Sequence, residues 1–502
     1  MQHVPDIAAK RAELTPDRIA FVDEASGAET SYGKLNDNAA RCASALSAAG
    51  IEAGDRVAIL CLNCVAFFEI LLACGKLGAI LVPLNWRQPV PELLPILEDS
   101  GAKLLFHDAE HGAQARELVA ARGITSIALA DYPGWIAGYT PAHTDIRWPT
   151  DRVWYLLYTS GTTGKPKAVI QTPGMAYANY VNIAGPTDMT GQDSTVNFLP
   201  LFHTAGINLY TMPMLICGGR NHLLAKFDVD AVMRLIASRK LSIFFGVPAI
   251  YQAISLHADF KATDFSGLRS LGCGGAPLPE TLIRLFGEKG VTVCNGFGMT
   301  ETGPTVFLMD REEAPRRIGS VGKPQMLTEV KLVDDDGGDI LDDRAGEILM
   351  RGPNITPGYF NNASATQAAF TPDGWLKSGD VGRRDAAGYY YIVDRIKDMY
   401  ISGGENVYPA EVETVIYRFP GVLECAVLGI PDEKWGEVGC AYVMPLPNAA
   451  LDAEKLRQHC RANLAAYKVP KRIEIVQDFP RTAAGKIRKH VLRDGAQPAG
   501  KA

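Results

Sequence analysis

The sequence predicts an α/β protein. We expect a large N-terminal domain of helix-flanked, mainly parallel sheets plus a small β-barrel-like unit, followed by a small C-terminal α+β domain. Three observations support this. At 502 residues the chain is too long for one compact core. Apolar strand patterns alternate with amphipathic helix patterns up to Gly319. From there, short alternating strands joined by Asp/Gly turns take over.

The first elements form strand–helix–strand units. Strand 56–61, helix 66–78 and strand 79–82 make one unit, and helix 92–100 with strand 103–106 repeats the order. This alternation implies a parallel sheet covered by helices. Before this unit we expect a strand at 19–22 and a helix over 32–49 closed by Gly50, whereas 107–150 shows only surface helix and loop character.

Later elements complete the two domains. We expect strands at 153–157, 195–199, 243–248, 271–277 and 291–294, a helix over 249–256 and another that ends at Lys289. Alternating strands follow at 329–333, 346–350 and 389–393. Beyond a boundary at 394–397, the elements are a helix with Pro409 in its first turn, strands 424–429, 439–443 and 472–476, and a helix over 452–464.

Composition excludes several classes of protein. A content of 47% hydrophobic and 21% charged residues is typical of a soluble globular protein, and a net charge of −6 argues against nucleic acid as a partner. Glu69, Lys76 and Pro83 interrupt the most apolar segment, 67–84, so we expect no integral membrane segment. The N-terminus carries charges and no apolar core, unlike a signal peptide.

Ten cysteines are scattered along the chain without the spacing of a disulfide framework. The close pair Cys61 and Cys64 lies at the end of an apolar strand pattern without a second pair nearby, which favours buried thiols over a zinc or redox centre. Reduced cysteines and the lack of an export signal predict a cytoplasmic location.

Donor groups are densest in segment 158–167, which follows the strand at 153–157. Its sequence Tyr-Thr-Ser-Gly-Thr-Thr-Gly-Lys-Pro-Lys combines two glycines, four aliphatic hydroxyls and two lysines. Glycines let backbone N–H groups approach an anion, while hydroxyls and ammonium groups donate to phosphate oxygens. A polar surface turn is the alternative, but this density of donors favours a phosphate-binding loop. The spacing of Gly161 and Gly164, and Pro166 in place of a hydroxyl, exclude a P-loop.

This segment resembles the signature loop of the adenylate-forming superfamily. That superfamily comprises acyl-CoA synthetases, peptide-synthetase adenylation domains and firefly-type luciferases. The resemblance covers nearly all of the chain, because five motifs follow in the order of the family. It implies that nucleotide is bound here by Thr159, Ser160, Gly161, Thr162, Thr163, Gly164, Lys165 and Lys167.

The second motif, 200–206, contains His203 among small residues. Without this resemblance, the favoured interpretation of His203 is a structural histidine at a strand end whose hydrogen bonds are satisfied. The resemblance implies a catalytic gate between nucleotide and acid, with an acyl pocket lined by Phe202, His203, Ala205, Gly206, Gly274 and Gly298. The small size of these residues suggests a roomy slot.

The third motif joins two strand ends rich in small residues, 274–277 and 295–301. Glycines permit a flat base to lie against the backbone, and Phe297 can stack on it. A lone Thr-Glu is a helix cap in most sequences, but the resemblance implies that Thr300 contacts the α-phosphate and Glu301 binds Mg²⁺. The nucleotide set implied here is Gly275, Ala276, Pro277, Asn295, Gly296, Phe297, Gly298, Met299 and Thr300.

The remaining motifs lie on both sides of the predicted boundary. An aspartate can accept two ribose hydroxyls, and the resemblance implies that Asp380 and Arg395 bind ribose and that Lys397 is the hinge. Taken alone, 394–398 is a charged turn and Lys486 an exposed loop lysine. The resemblance makes Lys486 a catalytic, nucleotide-binding cation on a mobile lid. It also assigns the CoA tunnel to Ser402, Gly403, Gly404, Glu405 and Tyr408.

The resemblance implies an acid–CoA ligase that uses ATP, Mg²⁺ and coenzyme A. Its domains would be 1–394, which binds ATP and the acid, a hinge at 395–397 and a lid at 398–502. The acid is aryl (hydroxycinnamate) or medium-to-long-chain fatty, with a slight preference for aryl. The alternatives are an enzyme that loads a carrier protein and a binding-only adenylate sensor; a kinase or motor NTPase would release ADP instead of AMP. Whether the chain forms a homodimer is left open.

Overall fold

The computed structural model describes residues 2–142, 147–159, 166–276, 278–395, 398–402, 405–432, 435–481 and 487–496. Twenty-six strands are found in this part of the chain. They are β1 (His3–Pro5), β2 (Ile19–Asp23), β3 (Glu29–Ser31), β4 (Arg56–Leu60), β5 (Ile80–Pro83), β6 (Leu104–His107), β7 (Thr125–Ala128), β8 (Arg147–Pro149), β9 (Tyr155–Thr159), β10 (Lys167–Gln171), β11 (Ser194–Asn197), β12 (Arg220–Leu223), β13 (Ile243–Gly246), β14 (Ser270–Cys273), β15 (Val293–Gly298), β16 (Thr305–Leu308), β17 (Lys323–Pro324), β18 (Glu329–Val333), β19 (Gly346–Arg351), β20 (Leu376–Arg384), β21 (Tyr390–Arg395), β22 (Tyr400–Ser402), β23 (Glu405–Val407), β24 (Val422–Asp432), β25 (Gly436–Pro445) and β26 (Arg472–Ile475).

The same residues form fifteen α-helices, together with a π-helical turn at Ala205–Leu209 and a 3₁₀ turn at Thr300–Thr302. The helices are α1 (Ile7–Leu14), α2 (Tyr32–Ala48), α3 (Val65–Leu77), α4 (Val90–Ser100), α5 (Gly112–Arg122), α6 (Tyr132–Ala137), α7 (Pro173–Thr187), α8 (Thr211–Cys217), α9 (Val229–Ala237), α10 (Pro248–Leu256), α11 (Glu280–Glu288), α12 (Ala363–Ala369), α13 (Pro409–Tyr417), α14 (Ala453–Asn463) and α15 (Lys489–Ala496).

The largest sheet has six strands in the order β10-β9-β5-β4-β6-β7. All neighbours are parallel except β9 and β10, which form an antiparallel hairpin. The predicted β4–α3–β5 unit is confirmed. Helix α3 is buried on almost every face, and Gly78 ends it in the left-handed conformation at φ +81°. Strand β7 was missed by the sequence prediction, because it is short and no residue in it is fully buried.

Two further sheets are parallel at one side and antiparallel at the other. One has the order β11-β12-β2-β3, with only the β2–β3 pair antiparallel. The second has the order β13-β14-β15-β16-β17, in which β13, β14 and β15 are parallel. The carboxyl ends of β14 and β15 carry the two predicted glycine-rich motifs. Parallel order places both motifs at one sheet edge, where ligands of α/β folds bind.

The predicted β unit after Gly319 is an antiparallel sheet in the order β18-β19-β20-β21. Its strand path is open, with β18 and β21 at the two edges. The C-terminal part forms its own sheet, β23-β22-β25-β24 with β26 beside β25, over a separate apolar cluster that contains Val412, Ile416 and Leu456. The α/β class with a separate C-terminal domain is therefore confirmed.

The described part of the chain can be examined for membrane-spanning helices and for disulfide bonds. None of its helices is long and apolar enough to cross a membrane. All ten cysteines are free; Cys61 is buried and Cys64 is half-buried. The hydrogen bond with Cys64, together with burial, raises the pKa of the Cys61 thiol well above its ordinary value, which favours the protonated thiol.

Candidate active site

The predicted phosphate-binding loop connects β9 to β10. Thr159 is the last residue of β9 and pairs with Lys167, the first residue of β10, so these two residues form the base of the loop. Residues 160–165, which include Ser160, Gly161, Thr162, Thr163, Gly164 and Lys165, lie outside the described residues. The hairpin therefore brings Thr159 and Lys167 to one edge of the six-stranded sheet.

Glu301 and Lys167 meet through a tyrosine. The Tyr359 hydroxyl donates a hydrogen bond to Oε1 of Glu301 at 3.0 Å. The Nζ of Lys167 lies 5.2 Å from the centroid of the Tyr359 ring, a cation–π distance. Glu301 is only 9% exposed, and this burial raises the pKa of its carboxyl group, while Tyr359, Arg395 and Lys167 act in the opposite direction.

Backbone contacts fix the turn that carries Glu301. The side-chain amide of Gln171 donates to the carbonyl of Thr300 at 3.0 Å, and the N–H of Thr356 donates to the carbonyl of Glu301 at 2.8 Å. These bonds join β10 and the loop before α12 to the 3₁₀ turn Thr300–Thr302. Glu301 is therefore held from two sides, whereas the sequence alone suggested only a helix cap.

Asp380 and Arg395 are brought together by the small antiparallel sheet. They are direct partners in the pairing of β20 with β21, and Nε of Arg395 donates to Oδ1 of Asp380 at 3.2 Å. Asp380 is 4% exposed, whereas the Arg395 side chain is 45% exposed. The carboxylate thus has a fixed position while the guanidinium group extends toward solvent, an arrangement that suits recognition of a polar ligand.

The glycine-rich strand ends lie against backbone. Gly275 has φ +84°, which favours glycine. A Cβ on Gly298 would lie 1.7 Å from the carbonyl oxygen of Pro304, and a Cβ on Gly296 would lie 3.0 Å from that of Phe307. The half-buried Phe297 packs on Phe307 with ring centroids 6.0 Å apart. Gly274, Ala276, Asn295, Met299 and Thr300 complete this edge, and Pro277 lies outside the described residues.

Phe202, the first residue of the predicted acyl pocket, packs among aromatic rings. Phe202 is 5% exposed and packs on His203, with ring centroids 4.8 Å apart, and on Trp86 at 6.2 Å. Ala205 and Gly206 start the π-helical turn, a feature frequent at functional sites. A Cβ on Gly206 would lie 2.3 Å from the carbonyl oxygen of Pro200.

The inference of a roomy slot from small residues is wrong at Gly206 and Gly298. Backbone atoms occupy the space that a side chain would take at both positions. These glycines therefore allow close packing of neighbouring segments and do not measure free volume. The contact is looser at Gly274, where a Cβ would lie 3.2 Å from the carbonyl oxygen of Gly296 and 3.4 Å from the ring of Phe245.

The structure describes some of the residues that are predicted to act from the C-terminal domain. Ser402 is 2% exposed and pairs with Glu405 in the β22–β23 hairpin; Glu405 is exposed and Tyr408 is half-buried before α13. Lys486, Lys397, Gly403 and Gly404 lie outside the described residues. The segment that contains Lys486 has a closed base, because Arg481 bridges Ile487 and the N–H of Arg488 donates to the carbonyl of Pro480 at 2.7 Å.

The fit of Mg²⁺ to this site follows from the donor set. No group of three or more His, Cys, Asp or Glu side chains that could hold a metal occurs in the described parts of the chain. Glu301 offers a buried carboxylate, which is a hard oxygen ligand. Mg²⁺ is commonly bound through one or two carboxylates plus substrate phosphates. Glu301 beside the phosphate-binding loop fits this mode.

Sequence reasoning missed Tyr359 and Gln171. Tyr359 follows Gly358, whose φ is +142° and whose Cβ would lie 2.5 Å from Thr366. A Gly-Tyr pair in a loop was the available signal. Gln171 gave no signal, because a polar residue at the end of a strand is ordinary.

Comparison with known proteins identifies the family. Two family profiles match, one described as AMP-binding enzyme over residues 8–360 and one described as AMP-binding enzyme C-terminal domain over residues 411–486. The chain is 41% identical over 484 residues to a feruloyl-CoA synthase of Amycolatopsis sp, covering 96% of this chain and 97% of that protein. It is 36% identical over 518 residues to a long-chain-fatty-acid–CoA ligase of Mycobacterium tuberculosis, covering 98% of each.

A solved structure shows the same fold. The o-succinylbenzoate CoA synthetase of Bacillus subtilis, in complex with its acyl-adenylate intermediate, superposes with a TM-score of 0.89 at 33% identity and covers 100% of both chains. The family profiles, the relatives and this structure all indicate one family. The chain belongs to the AMP-binding enzymes of the adenylate-forming superfamily.

Proposed function

We propose that this protein is an AMP-forming acid–CoA ligase. It joins a carboxylic acid to ATP, giving an acyl-adenylate and pyrophosphate, and then transfers the acyl group to coenzyme A with release of AMP. The observation that carries this proposal is the buried Glu301 carboxylate, which Tyr359 holds beside Lys167 at the base of the phosphate-binding loop. The CoA ligases among the relatives support the reaction class.

In the first half-reaction a carboxylate must approach the phosphates of ATP, so the site needs cations and hydrogen-bond donors that hold these negative groups in a fixed geometry. When bound, Mg²⁺ supplies charge neutralisation at the phosphates. Thr159, Lys167 and Thr300 bind phosphate oxygens, and Asp380 accepts the ribose hydroxyls beside Arg395. Lys486 adds a cation to the attacking carboxylate and His203 lies between acid and nucleotide. The residues thereby align an in-line attack on the α-phosphorus.

The second half-reaction uses the C-terminal domain. Residues 1–394 form the domain that binds ATP and the acid, 395–397 the hinge, and 398–502 the lid. After adenylation the lid turns about Lys397, withdraws Lys486 and brings the segment of Ser402, Gly403, Gly404, Glu405 and Tyr408 to the pantetheine tunnel. The CoA thiolate then attacks the acyl carbonyl and AMP leaves. No protein nucleophile is required.

The acid is aryl or medium-to-long-chain fatty, and we favour an aryl acid. The identity of the chain to feruloyl-CoA synthase, 41%, exceeds its identity to the long-chain-fatty-acid–CoA ligase, 36%. Phe245 lies against Gly272 in β14 and against Gly274, the predicted pocket residue just after it: its ring would lie 2.9 Å from a Cβ on Gly272 and 3.4 Å from one on Gly274. An aromatic wall at these positions suits a flat substrate.

The buried phenol of Tyr210, beside Gly272 of β14, also favours an aryl acid. Tyr210 is 5% exposed, and a Cβ on Gly272 would lie 2.5 Å from its hydroxyl. Ser270 lies close enough to lower the pKa of the Tyr210 hydroxyl, but no hydrogen bond of ordinary geometry joins this hydroxyl to a described residue. An unpaired buried hydroxyl costs about 1–3 kcal/mol. A ring hydroxyl on the acid would supply the missing partner.

Two assays test the reaction class. Acid-dependent exchange of pyrophosphate into ATP is expected, with AMP as product of the full reaction. Absence of exchange would support a binding-only adenylate sensor, and release of ADP would indicate a kinase or motor NTPase. Thioester formation on free CoA is expected to exceed that on an acyl carrier protein; the opposite result would indicate a carrier loader.

A panel of acids tests the substrate class. Ferulate and coumarate are expected to give the highest kcat/KM, medium- and long-chain fatty acids lower values, and acetate poor turnover. Acetate as the best substrate would overturn the pocket argument. A cytoplasmic location and a homodimer remain predictions, which fractionation of cells and the mass of the purified protein in solution test.

A further inference from the structure

Two asparagines on one face of α7 hold the first residue of β16. Asn179 and Asn182 lie about one helical turn apart, and both are fully buried. The Oδ1 of Asn179 accepts a hydrogen bond of 3.1 Å from the N–H of Thr305, and Nδ2 of Asn182 donates one of 3.3 Å to the carbonyl of Thr305. Both backbone groups of Thr305 are therefore bonded to the same helix.

Thr305 begins β16 shortly after the turn that carries Glu301. A third buried asparagine joins the two, because Nδ2 of Asn354 donates to the carbonyl of Thr302 at 2.9 Å and to that of Thr305 at 3.3 Å. Between them, a Cβ on Gly303 would lie 2.8 Å from the carbonyl oxygen of Asn354, so the backbone packs closely here. The position of the Glu301 turn is therefore tied to Thr305, and through Thr305 to α7.

Asn179 also bonds a segment of the predicted acid pocket. Its Nδ2 donates a hydrogen bond of 2.5 Å to the carbonyl of Asn208, in the π-helical turn Ala205–Leu209 that follows His203. The two ends of one buried amide thus bond two parts of the candidate site. The nitrogen bonds the π-helical turn, and the oxygen bonds the strand that follows the Glu301 turn.

The π-helical turn is held at its backbone carbonyls by asparagines from outside it. The Nδ2 of Asn197, at the end of β11, donates to the carbonyl of Gly206 at 2.8 Å, as Asn179 does to that of Asn208. The side chain of Asn208 itself is 1% exposed and makes no hydrogen bond of ordinary geometry to a described residue. An unpaired carbonyl in a buried segment is costly, so the position of this turn depends on the two amides that reach it.

Asn182 provides a comparison within the same helix. Besides Thr305, its amide bonds the hydroxyl of Thr328 at 3.0 Å and the N–H of Leu327 at 2.9 Å, both in the segment between β17 and β18. Among the described residues, none of its hydrogen bonds reaches the π-helical turn. Asn182 therefore shares the helix, the burial and the contact with Thr305, but it does not join the two sides of the site.

We propose that Asn179 is a positioning residue that couples the acid side of the site to its nucleotide side. The proposal rests on the acid–CoA ligase function given above, and it assigns no contact with substrate to Asn179. An acid that orders the π-helical turn fixes the carbonyl of Asn208, and this constraint acts through Asn179 on Thr305 and so on the Glu301 turn. Nucleotide bound at the Glu301 turn acts in the reverse direction, because coupling between two binding sites is reciprocal.

The test measures binding of the acid with and without nucleotide in the full-length protein. The probe acid is ferulate, replaced by another acid of the panel if that acid is the better substrate. The nucleotide is α,β-methylene-ATP with Mg²⁺, because its α,β linkage cannot be cleaved and no adenylate forms. In wild type, the Kd of the acid by calorimetry is expected to fall about fivefold or more when the nucleotide is present. In N179L this ratio is expected to approach one, because leucine keeps the shape of asparagine but neither donates nor accepts a hydrogen bond.

N182L is the matched control. It removes an equally buried amide from the same helix face and from the same Thr305, so we expect it to lower the midpoint of thermal unfolding about as much as N179L does. Its ratio of Kd values is expected to stay within about twofold of the wild-type ratio, since it breaks no bond to the π-helical turn. A wild-type ratio in N179L, or an equal loss of the ratio in both variants, would contradict the proposal.

Hydrogen exchange gives a second readout that does not depend on the identity of the acid. Adding α,β-methylene-ATP with Mg²⁺ to wild type is expected to slow amide exchange in segment 204–211, which contains the π-helical turn. In N179L this protection is expected to disappear, while protection of 299–302 around Glu301 persists. Protection of 204–211 to the same extent in both proteins would show that Asn179 does not connect the two sides.

The remaining outcomes are also decisive. If N179L does not fold, N179S is expected to give the same loss of the ratio, because a serine hydroxyl is too short to bond both partners; a wild-type ratio in N179S would contradict the proposal. A wild-type Kd for the acid that does not respond to nucleotide would contradict it as well. Failure of the ligase assignment is recognised separately, because the wild-type enzyme would then show no acid-dependent exchange of pyrophosphate into ATP.

Discussion

The hydroxyl of Tyr359 lies 3.0 Å from Oε1 of Glu301, although 58 residues separate the two in the chain. The Tyr359 ring also lies beneath the ammonium group of Lys167. One aromatic side chain thus links the base of the predicted phosphate-binding loop to the carboxylate that fits Mg²⁺. We expect this contact to orient Glu301 before nucleotide binds, and preorganisation of this kind lowers the cost of forming a transition state.

Changing Tyr359 to phenylalanine tests this link. The Glu301 carboxylate then loses a hydrogen bond in a buried site, worth about 1.5–3 kcal/mol when one partner is charged. We expect a loss of about tenfold or more in ATP–pyrophosphate exchange and a higher Mg²⁺ concentration at half-maximal rate. Tyr391→Phe is the matched control, because the hydroxyl of Tyr391 also binds a carboxylate, that of Asp385 at 3.3 Å. Equal behaviour of the two variants would show that Tyr359 does not orient Glu301.

Replacing Lys486 on the predicted lid and Lys397 at the predicted hinge tests whether the two half-reactions use different domain orientations. Lys486→Ala should abolish adenylation and largely spare thioester formation from supplied acyl-adenylate. Lys397→Pro should do the reverse, because proline stiffens the pivot. Lys455→Ala, at an exposed position on α14, serves as control. If both variants lose both half-reactions equally, alternation of the domains is not supported.

The stability of the protein should depend on pH through Asp394. Burial raises the pKa of this carboxyl group from 3.8 to about 6 in the folded state. A group with a raised pKa contributes stability that is complete below the unfolded value and is lost as pH rises through the folded value. Between pH 4 and pH 7 wild type should thus lose up to about 3 kcal/mol of unfolding free energy relative to D394N.

Chemical denaturation of wild type and D394N at a series of pH values measures this difference. D343N provides the reference for an exposed aspartate. A difference that stays constant with pH, or that grows in the opposite direction, would show that Asp394 is not destabilised by its burial.

Removing the buried hydroxyl of Tyr210 should change the choice of acid. We expect Tyr210→Phe to lower kcat/KM for 4-hydroxycinnamates by about tenfold, since a hydrogen bond to the ring hydroxyl is lost. Activity on unsubstituted cinnamate should stay within about twofold or rise, which makes the two acids a control for each other. Parallel loss for both acids would indicate a packing role for Tyr210.

Local patterns predicted much of the fold. Strand β18 has the predicted bounds of 329–333, and the β4–α3–β5 unit follows its prediction to within one or two residues. Strand β7 and helix α15 were not predicted. Strand β7 is short and partly exposed, so its sequence carries no strong periodicity, and it forms because a sheet edge is available to pair with. Helix α15 has an amphipathic pattern over only eight residues and packs against β24.

The sequence by itself determined the class of the protein and its order of motifs. The density of donors in 158–167, the glycines of the strand ends and the charged pair Asp380 and Arg395 are local properties of the chain. Their joint occurrence in one order is specific, because each motif alone has an ordinary structural explanation. The AMP-binding family and the α/β architecture could be inferred from these features.

Only the tertiary structure decided which distant groups meet. Tyr359 reaches Glu301 because an isolated bridge joins it to Val169 in β10, and Asp394 accepts a hydrogen bond from the N–H of Ala410 because β21 packs against α13. It also decided that Gly206 and Gly298 lie against backbone instead of lining a slot. Such contacts depend on sheet order and domain packing, and no pattern of neighbouring residues encodes the distance between segments far apart in the chain.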